Sequence, residues 1–231
     1  MRFRWMALLV VALFATQAAA EEAATLSTQK DKVSYGIGMN IGNNLKRDGI
    51  DVDGALLLKG FRDGISGGKA LLSEDEYRAT MTALQKDLME KQAEAAKKVA
   101  EKNRKEGEAF LAENKKKEGV VALPSGLQYK VVKAGDGKSP TAKDTVETHY
   151  RGTLIAGTEF DSSYKRGQTA TFPVGGVIPG WTEALQKMKV GDKWQLFVPS
   201  NLAYGERGAG AQIGPNAALI FEVELISIKY K

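Results

Sequence analysis

The chain reads as an α+β protein: an all-α N-terminal region and a long helix, then an antiparallel β-sheet wrapped on one short helix. Three observations lead there. Apolar side chains recur at helical spacing between Asp31 and about Ser66. The roughly 44 residues after Ser73 hold no proline, only Gly107 among glycines, and many of the strong helix formers Ala, Glu, Lys and Gln. From Gly119 onward glycine, proline and β-branched residues crowd into short runs. These changes divide the sequence into residues 1–20, 21–72, 73–118 and 119–231.

Residues 1–20 have the texture of a cleaved signal peptide. Arg2 and Arg4 start it, Trp5 to Ala15 is an apolar run too short for a bilayer, and Ala18-Ala19-Ala20 offers a cleavage site before Glu21. The alternative is a buried N-terminal helix. A cleaved leader sends the chain to the periplasm, with the outer membrane or cell surface as further destinations. The absence of cysteine excludes disulfides, a thiol nucleophile and a cysteine-anchored lipid. Losing Arg2 and Arg4 with the leader lowers the formal net charge from +5 to +3, too small an excess to point to a nucleic-acid partner.

In region 21–72, residues 21–30 read as a loose polar start. Val33, Ile37, Ile41 and Leu45 line one helix face, with Gly36, Gly38 and Gly42 close by. A glycine within a helix costs about 1 kcal/mol against alanine, and it lets another backbone come near. A tight helix–helix contact is the expectation. A second helix from Asp51 or Asp53 to Ser66 carries Leu56, Leu57, Phe61 and Ile65 and stops at Gly67-Gly68. Two short helices bury little alone, which motivates a homodimer formed through residues 21–72.

Ser73 with Glu76 three residues later forms a capping-box signature for the long helix. Tyr77, Met81, Leu84 and Leu88 make an early apolar stripe that thins to alanines and Val99 until Phe110-Leu111. Mixed charges at i,i+4 suit a solvated connector more than a nucleic-acid arm. Beyond Gly119, strands are expected over Leu127–Val132, Thr145–Tyr150, Lys193–Val198 and Leu219–Ile228. A short helix places Trp181, Leu185 and Met188 on one face after Pro179-Gly180.

From Leu123 to Lys229 the sequence resembles the FKBP family of peptidyl-prolyl cis-trans isomerases. The motifs are His149-Tyr150-Arg-Gly, Gly157-Thr-Glu-Phe160-Asp161-Ser-Ser, Val177-Ile178-Pro-Gly-Trp181, Met188-Lys-Val-Gly-Asp, Ala203-Tyr204-Gly205, Ile213-Gly-Pro215-Asn and Leu219-Ile-Phe221. Asp31-Lys-Val-Ser-Tyr-Gly-Ile-Gly-Met and Gly60-Phe-Arg-Asp-Gly resemble the dimerising leader of the bacterial Mip and FkpA group. The resemblance implies an FKBP-like sheet domain with an apolar pocket. Phe160, Asp161, Trp181 and Tyr204 carry catalysis in that reading. Tyr150, Arg166, Phe172, Val177, Ile178, Ile213 and Phe221 bind substrate. Trp181 is the floor under the proline ring, Tyr150 and Arg166 hold Asp161, and Tyr204 and the Ile178 N–H bind substrate carbonyls. The residues alone leave two alternatives: ordinary core for the apolar set, and a turn cap for Asp161.

Three positions depart from the family pattern. Ala170 stands where an aromatic wall residue is common, Ala209 where a histidine often sits, and Gln212 where an apolar residue is usual, so the pocket is expected to be more open there. The single histidine, His149, reads as a satisfied structural side chain, since one His without Cys does not make a usual zinc site. No cofactor or metal is called for. The partners implied are proline-containing unfolded polypeptides, a second copy of the chain, and macrolide inhibitors of the FK506 and rapamycin kind. A competing reading is a holdase chaperone with weak isomerase activity. A surface adhesin rests on family analogy alone.

Overall fold

The structure, a computed structural model, describes residues 25–229. The expected signal peptide lies outside the described residues. The chain divides between Asp75 and Glu76 into two compact units.

The first unit holds α1 (Gln29–Arg47) and α2 (Gly54–Ser66). Helix α1 starts two residues earlier than the apolar pattern suggested, because Thr28 builds a reciprocal cap with Asp31. The Asp53 carboxylate accepts from the N–H groups of Ala55 and Leu56 and so starts α2. Gly67, at φ 67°, ends it in the left-handed region. Neither helix buries a residue. The backbone approach expected at Gly36, Gly38 and Gly42 is not made among the described residues, for a Cβ at any of them would meet nothing within 4 Å, and the same holds at Gly60.

Helix α3 (Glu74–Asn114) ends three residues short of the expected Lys117, in a turn over 115–117. Its C-terminal half departs from the reading of a solvated connector. Gly107 and Asn114 are buried. Phe110 meets Phe197 with ring centroids 5.9 Å apart, and Asn114 donates to the Gln128 side chain at 3.0 Å. Gln128 donates in turn to the Leu111 carbonyl at 2.8 Å.

The second unit continues with seven strands: β1 (Val120–Ala122), β2 (Gln128–Lys133), β3 (Thr145–Leu154), β4 (Glu159–Ser162), β5 (Ala170–Pro173), β6 (Lys193–Val198) and β7 (Leu219–Lys229). All pair antiparallel, in the order β1-β2-β6-β7-β3-β4. One edge of β3 pairs with β7 along its length. The other edge is divided: Thr145–Thr148 pair with β5, and Arg151–Thr153 with β4. That division sets Phe160 and Asp161 on β4 and Phe172 on β5 along the same edge of β3.

The short helix α4 (Pro179–Leu185) rests on the sheet. Pro179 opens it, where the missing N–H costs nothing. Gly180 permits the contact, since a Cβ there would stand 2.6 Å from the Val198 side chain. Thr182 donates its hydroxyl to the Val174 carbonyl at 2.8 Å and pins the helix to the turn at Val174–Gly176. Trp181, Ala184 and Leu185 then face a core that includes Leu127, Val146, Leu196, Val198, Leu219, Val223 and Leu225. No helix among the described residues is long and apolar enough to cross a membrane.

Candidate active site

A cleft of about 320 Å³ opens where α4, β3, β4 and β5 meet the end of β7. It is lined by Tyr150, Phe160, Asp161, Phe172, Gly176, Val177, Ile178, Trp181, Tyr204 and Phe221. A larger hollow of about 710 Å³ lies along α3, walled by lysines and glutamates of one helix and open to solvent.

Trp181 is the centre of the aromatic packing. Its ring meets Tyr150, Phe172 and Phe221 edge to face, with centroids 5.3, 5.8 and 5.3 Å away. Phe160 packs on Phe221 in the same manner at 5.6 Å. Edge-to-face contacts suit the ring quadrupoles, and each adds about 0.5–1.5 kcal/mol beyond burial. These mutual contacts hold the floor rigid. Gly152, behind Phe160 and Phe221, is required by that packing, because a Cβ would stand 2.6 Å from one ring and 2.8 Å from the other. Tyr204, on the loop after β6, is 40% exposed and brings a hydroxyl to the rim.

Asp161 is the one carboxylate in the lining. The Tyr150 hydroxyl donates to it at 2.5 Å, Arg166 Nη1 donates to its other oxygen, and Arg166 Nη2 donates to the Tyr150 hydroxyl at 2.9 Å. The guanidinium also lies over the Tyr150 ring, 5.5 Å from its centroid. Burial pushes the Asp161 carboxyl up, but the hydrogen bonds from Tyr150 and Arg166 outweigh it and hold the group below the usual aspartate value. Burial, and then the bond to Asp161, pushes the Tyr150 hydroxyl up. The pair thus stays carboxylate and phenol across the neutral range. A turn cap needs no such triangle.

The structure brings together Tyr150, Phe160, Asp161, Phe172, Val177, Ile178, Trp181, Tyr204 and Phe221, all singled out in the sequence. Arg166 touches the cleft through Asp161 and does not line it. Ile213 lies outside the lining, 8% exposed and packed with the core, and its backbone pairs with that of Ala209. Gly176 lines the cleft and was not foreseen, nor was the role of Gly152 behind the floor. Both glycines sit in or beside recognised motifs, but a glycine shows its function only when a neighbour's distance is known. None of Ala170, Ala209 and Gln212 lines the cleft. His149 faces away from it, with Nδ1 2.9 Å from the Ser163 hydroxyl and its ring stacked 4.7 Å from Tyr164. Among the described residues, no group of His, Cys, Asp and Glu is arranged to hold a metal.

Comparison with known proteins agrees with this geometry. Residues 136–226 match the family model for FKBP-type peptidyl-prolyl cis-trans isomerase, and residues 30–131 match the domain amino-terminal to it. The outer membrane protein MIP of Legionella longbeachae is 52% identical over 214 residues, covering 93% of this chain and 92% of that protein. The peptidyl-prolyl cis-trans isomerase Mip of Coxiella burnetii is 47% identical, covering 92% of each. The crystal structure of FkpA from Escherichia coli superposes with a TM-score of 0.70 at 37% identity, over 89% of this chain and 99% of that one.

Proposed function

The chain belongs to the FKBP-type peptidyl-prolyl cis-trans isomerases, and from that premise we propose that the cleft above Trp181 receives the proline ring of an X-Pro segment and eases its amide out of plane. The observation that carries this is the convergence of Trp181, Phe221, Tyr204 and Asp161 on one apolar hollow.

Amide resonance raises a rotational barrier of about 18–20 kcal/mol. No bond between heavy atoms has to break, so neither nucleophile nor metal is needed. Water favours the planar, charge-separated amide. A cleft walled by Phe160, Phe172, Trp181 and Phe221 withdraws that support and favours the twisted state. Val177 and Ile178 complete the apolar wall. Asp161, kept ionised and fixed by Tyr150 and Arg166, presents a set charge to the carbonyl as it turns. The Tyr204 hydroxyl and the Ile178 N–H hold neighbouring carbonyls and fix the chain across the cleft. Macrolides of the FK506 and rapamycin kind compete for the same hollow.

The substrates are proline-containing, unfolded or partly folded polypeptides of the periplasm. A homodimer through residues 21–72 is supported by Val33, Tyr35, Ile37, Leu56, Phe61 and Ile65, which stay 49, 56, 51, 63, 51 and 73% exposed in the single chain. The open glycines of α1 and α2 supply the close approach between copies. The same apolar faces favour a second reading, a holdase chaperone that shields clients.

A protease-coupled assay on a proline tetrapeptide tests the site. Tyr204→Phe and Asp161→Ala are expected to lower kcat/KM by about fivefold to tenfold each, one lost hydrogen bond or charge contact apiece, with native circular dichroism. Parental rates in both would remove these residues from the mechanism.

A further inference from the structure

Asn103 lies on α3, and its side-chain amide donates to the Pro215 carbonyl at 2.8 Å across 112 positions of sequence. That carbonyl belongs to the peptide unit joining Pro215 to Asn216. The N–H of the same unit, on Asn216, donates to the Gly205 carbonyl at 2.8 Å. Gly205 directly follows Tyr204. One rigid peptide plane is thereby held from both ends, by the long helix on one side and by the Tyr204 segment on the other.

The surroundings show that this joint is built. Asn216 has φ 57°, the left-handed region, and among the described residues it is the non-glycine that does so. Such a conformation persists where its neighbours enforce it. Gly214 sits against α3, where a Cβ would come 3.0 Å from the Asn103 amide nitrogen and 3.4 Å from the Val99 side chain. One turn further along the helix, a Cβ on buried Gly107 would stand 3.1 Å from the Ala218 Cβ. Val99, Asn103 and Gly107 are spaced at four residues and share one face. The segment between, from Gly208 to Gly214, is closed on itself by the paired backbones of Ala209 and Ile213.

We propose that Asn103 is a positioning residue for the isomerase: by pinning the Pro215–Asn216 peptide it holds the segment that carries Tyr204 at the rim of the cleft. The proposal rests on the reading of Tyr204 given above. It makes the second half of α3 part of the catalytic unit, although no residue of α3 touches the cleft.

The test uses the whole mature chain. Asn103→Asp keeps the shape and deletes the donor, and Asn103→Ala deletes the donor without adding charge. In both, amide hydrogen exchange of Asn216 followed by NMR is expected to quicken about fivefold or more, the loss of one hydrogen bond. Amides of β6 and β7 keep the parental rate. The kcat/KM on a proline tetrapeptide falls about fivefold. In a Tyr204→Phe background the same substitutions bring no further fall, because the group they position is already gone. Gly107→Ala is a second route: it presses on Ala218 and lowers kcat/KM, and Ala218→Gly added to it restores the rate. Parental exchange at Asn216 in both Asn103 variants overturns the proposal, as does a fall of the same factor in the Tyr204→Phe background. If Tyr204→Phe alone leaves kcat/KM parental, the reading of Tyr204 fails by itself, and the Asn216 exchange rate then decides whether Asn103 holds the segment.

Discussion

The first unit and the sheet domain both carry leucine, isoleucine, valine and phenylalanine, and they use them in opposite ways. Leu127, Leu185, Leu196, Leu219 and Leu225 in the sheet domain are essentially without solvent contact. Leu56, Leu57, Leu58, Phe61 and Ile65 on α2 remain 43–73% exposed, and α1 and α2 bury no residue. A sheet with a helix laid on it closes its own core. Two helices of 19 and 13 residues do not, and their caps and propensities alone give marginal stability. The contrast is between one part that folds around its own interior and another whose apolar faces stay exposed among the described residues, as the proposed pairing of two copies requires.

The largest expected effect is on stability. Leu196→Ala empties a fully buried site and should cost about 2–5 kcal/mol in chemical denaturation, whatever the protein concentration. Leu56→Ala should cost no more than about 0.5 kcal/mol at dilutions that keep the chain monomeric. Equal costs at those dilutions would break the contrast. Next comes assembly. Phe61→Asp places a charge in the exposed face of α2 and should convert the proposed dimer to monomer in sedimentation, while kcat/KM on a tetrapeptide stays parental. A parental chain already monomeric at micromolar concentration would leave that face without its second copy.

The smallest expected effect is that of pH. Asp161 has its folded pKa depressed, so the stability its contacts add is present above the ordinary aspartate range and lost as pH falls through the folded value. Tyr150 is pushed the other way and keeps its proton beyond the usual phenol range. Between about pH 5 and pH 9, therefore, kcat/KM should be flat, with a decline only in stronger acid. An inflection near neutrality would mean that a group outside this triangle governs the rate.

Much of the sheet domain was legible because its signals are strong and local. Lys193–Val198 alternates and is bounded by Gly191-Asp192 and Pro199, and the strand occupies those residues. Asp53 announces α2 by the chemistry of a cap. Strands β4 and β5 were missed because four residues of mixed character give no alternation to read, and they exist by pairing with β3. The docking face of α3 was missed for a related reason. Gly107 and Asn114 are what the helix buries there, and neither registers as apolar. Non-local contacts, and above all close approaches at glycine, were not readable from spacing.

The proposed catalysis depends on the floor of the cleft, the Trp181 ring. NMR exchange spectroscopy on an Ala-Pro peptide, with a catalytic amount of protein, measures the interconversion of cis and trans directly. The parental chain should produce strong exchange cross-peaks, and Trp181→Ala, still folded by circular dichroism, should reduce the catalysed rate about tenfold or more. An undiminished rate in a folded Trp181→Ala variant would contradict the claim that an apolar hollow built on this ring turns the amide.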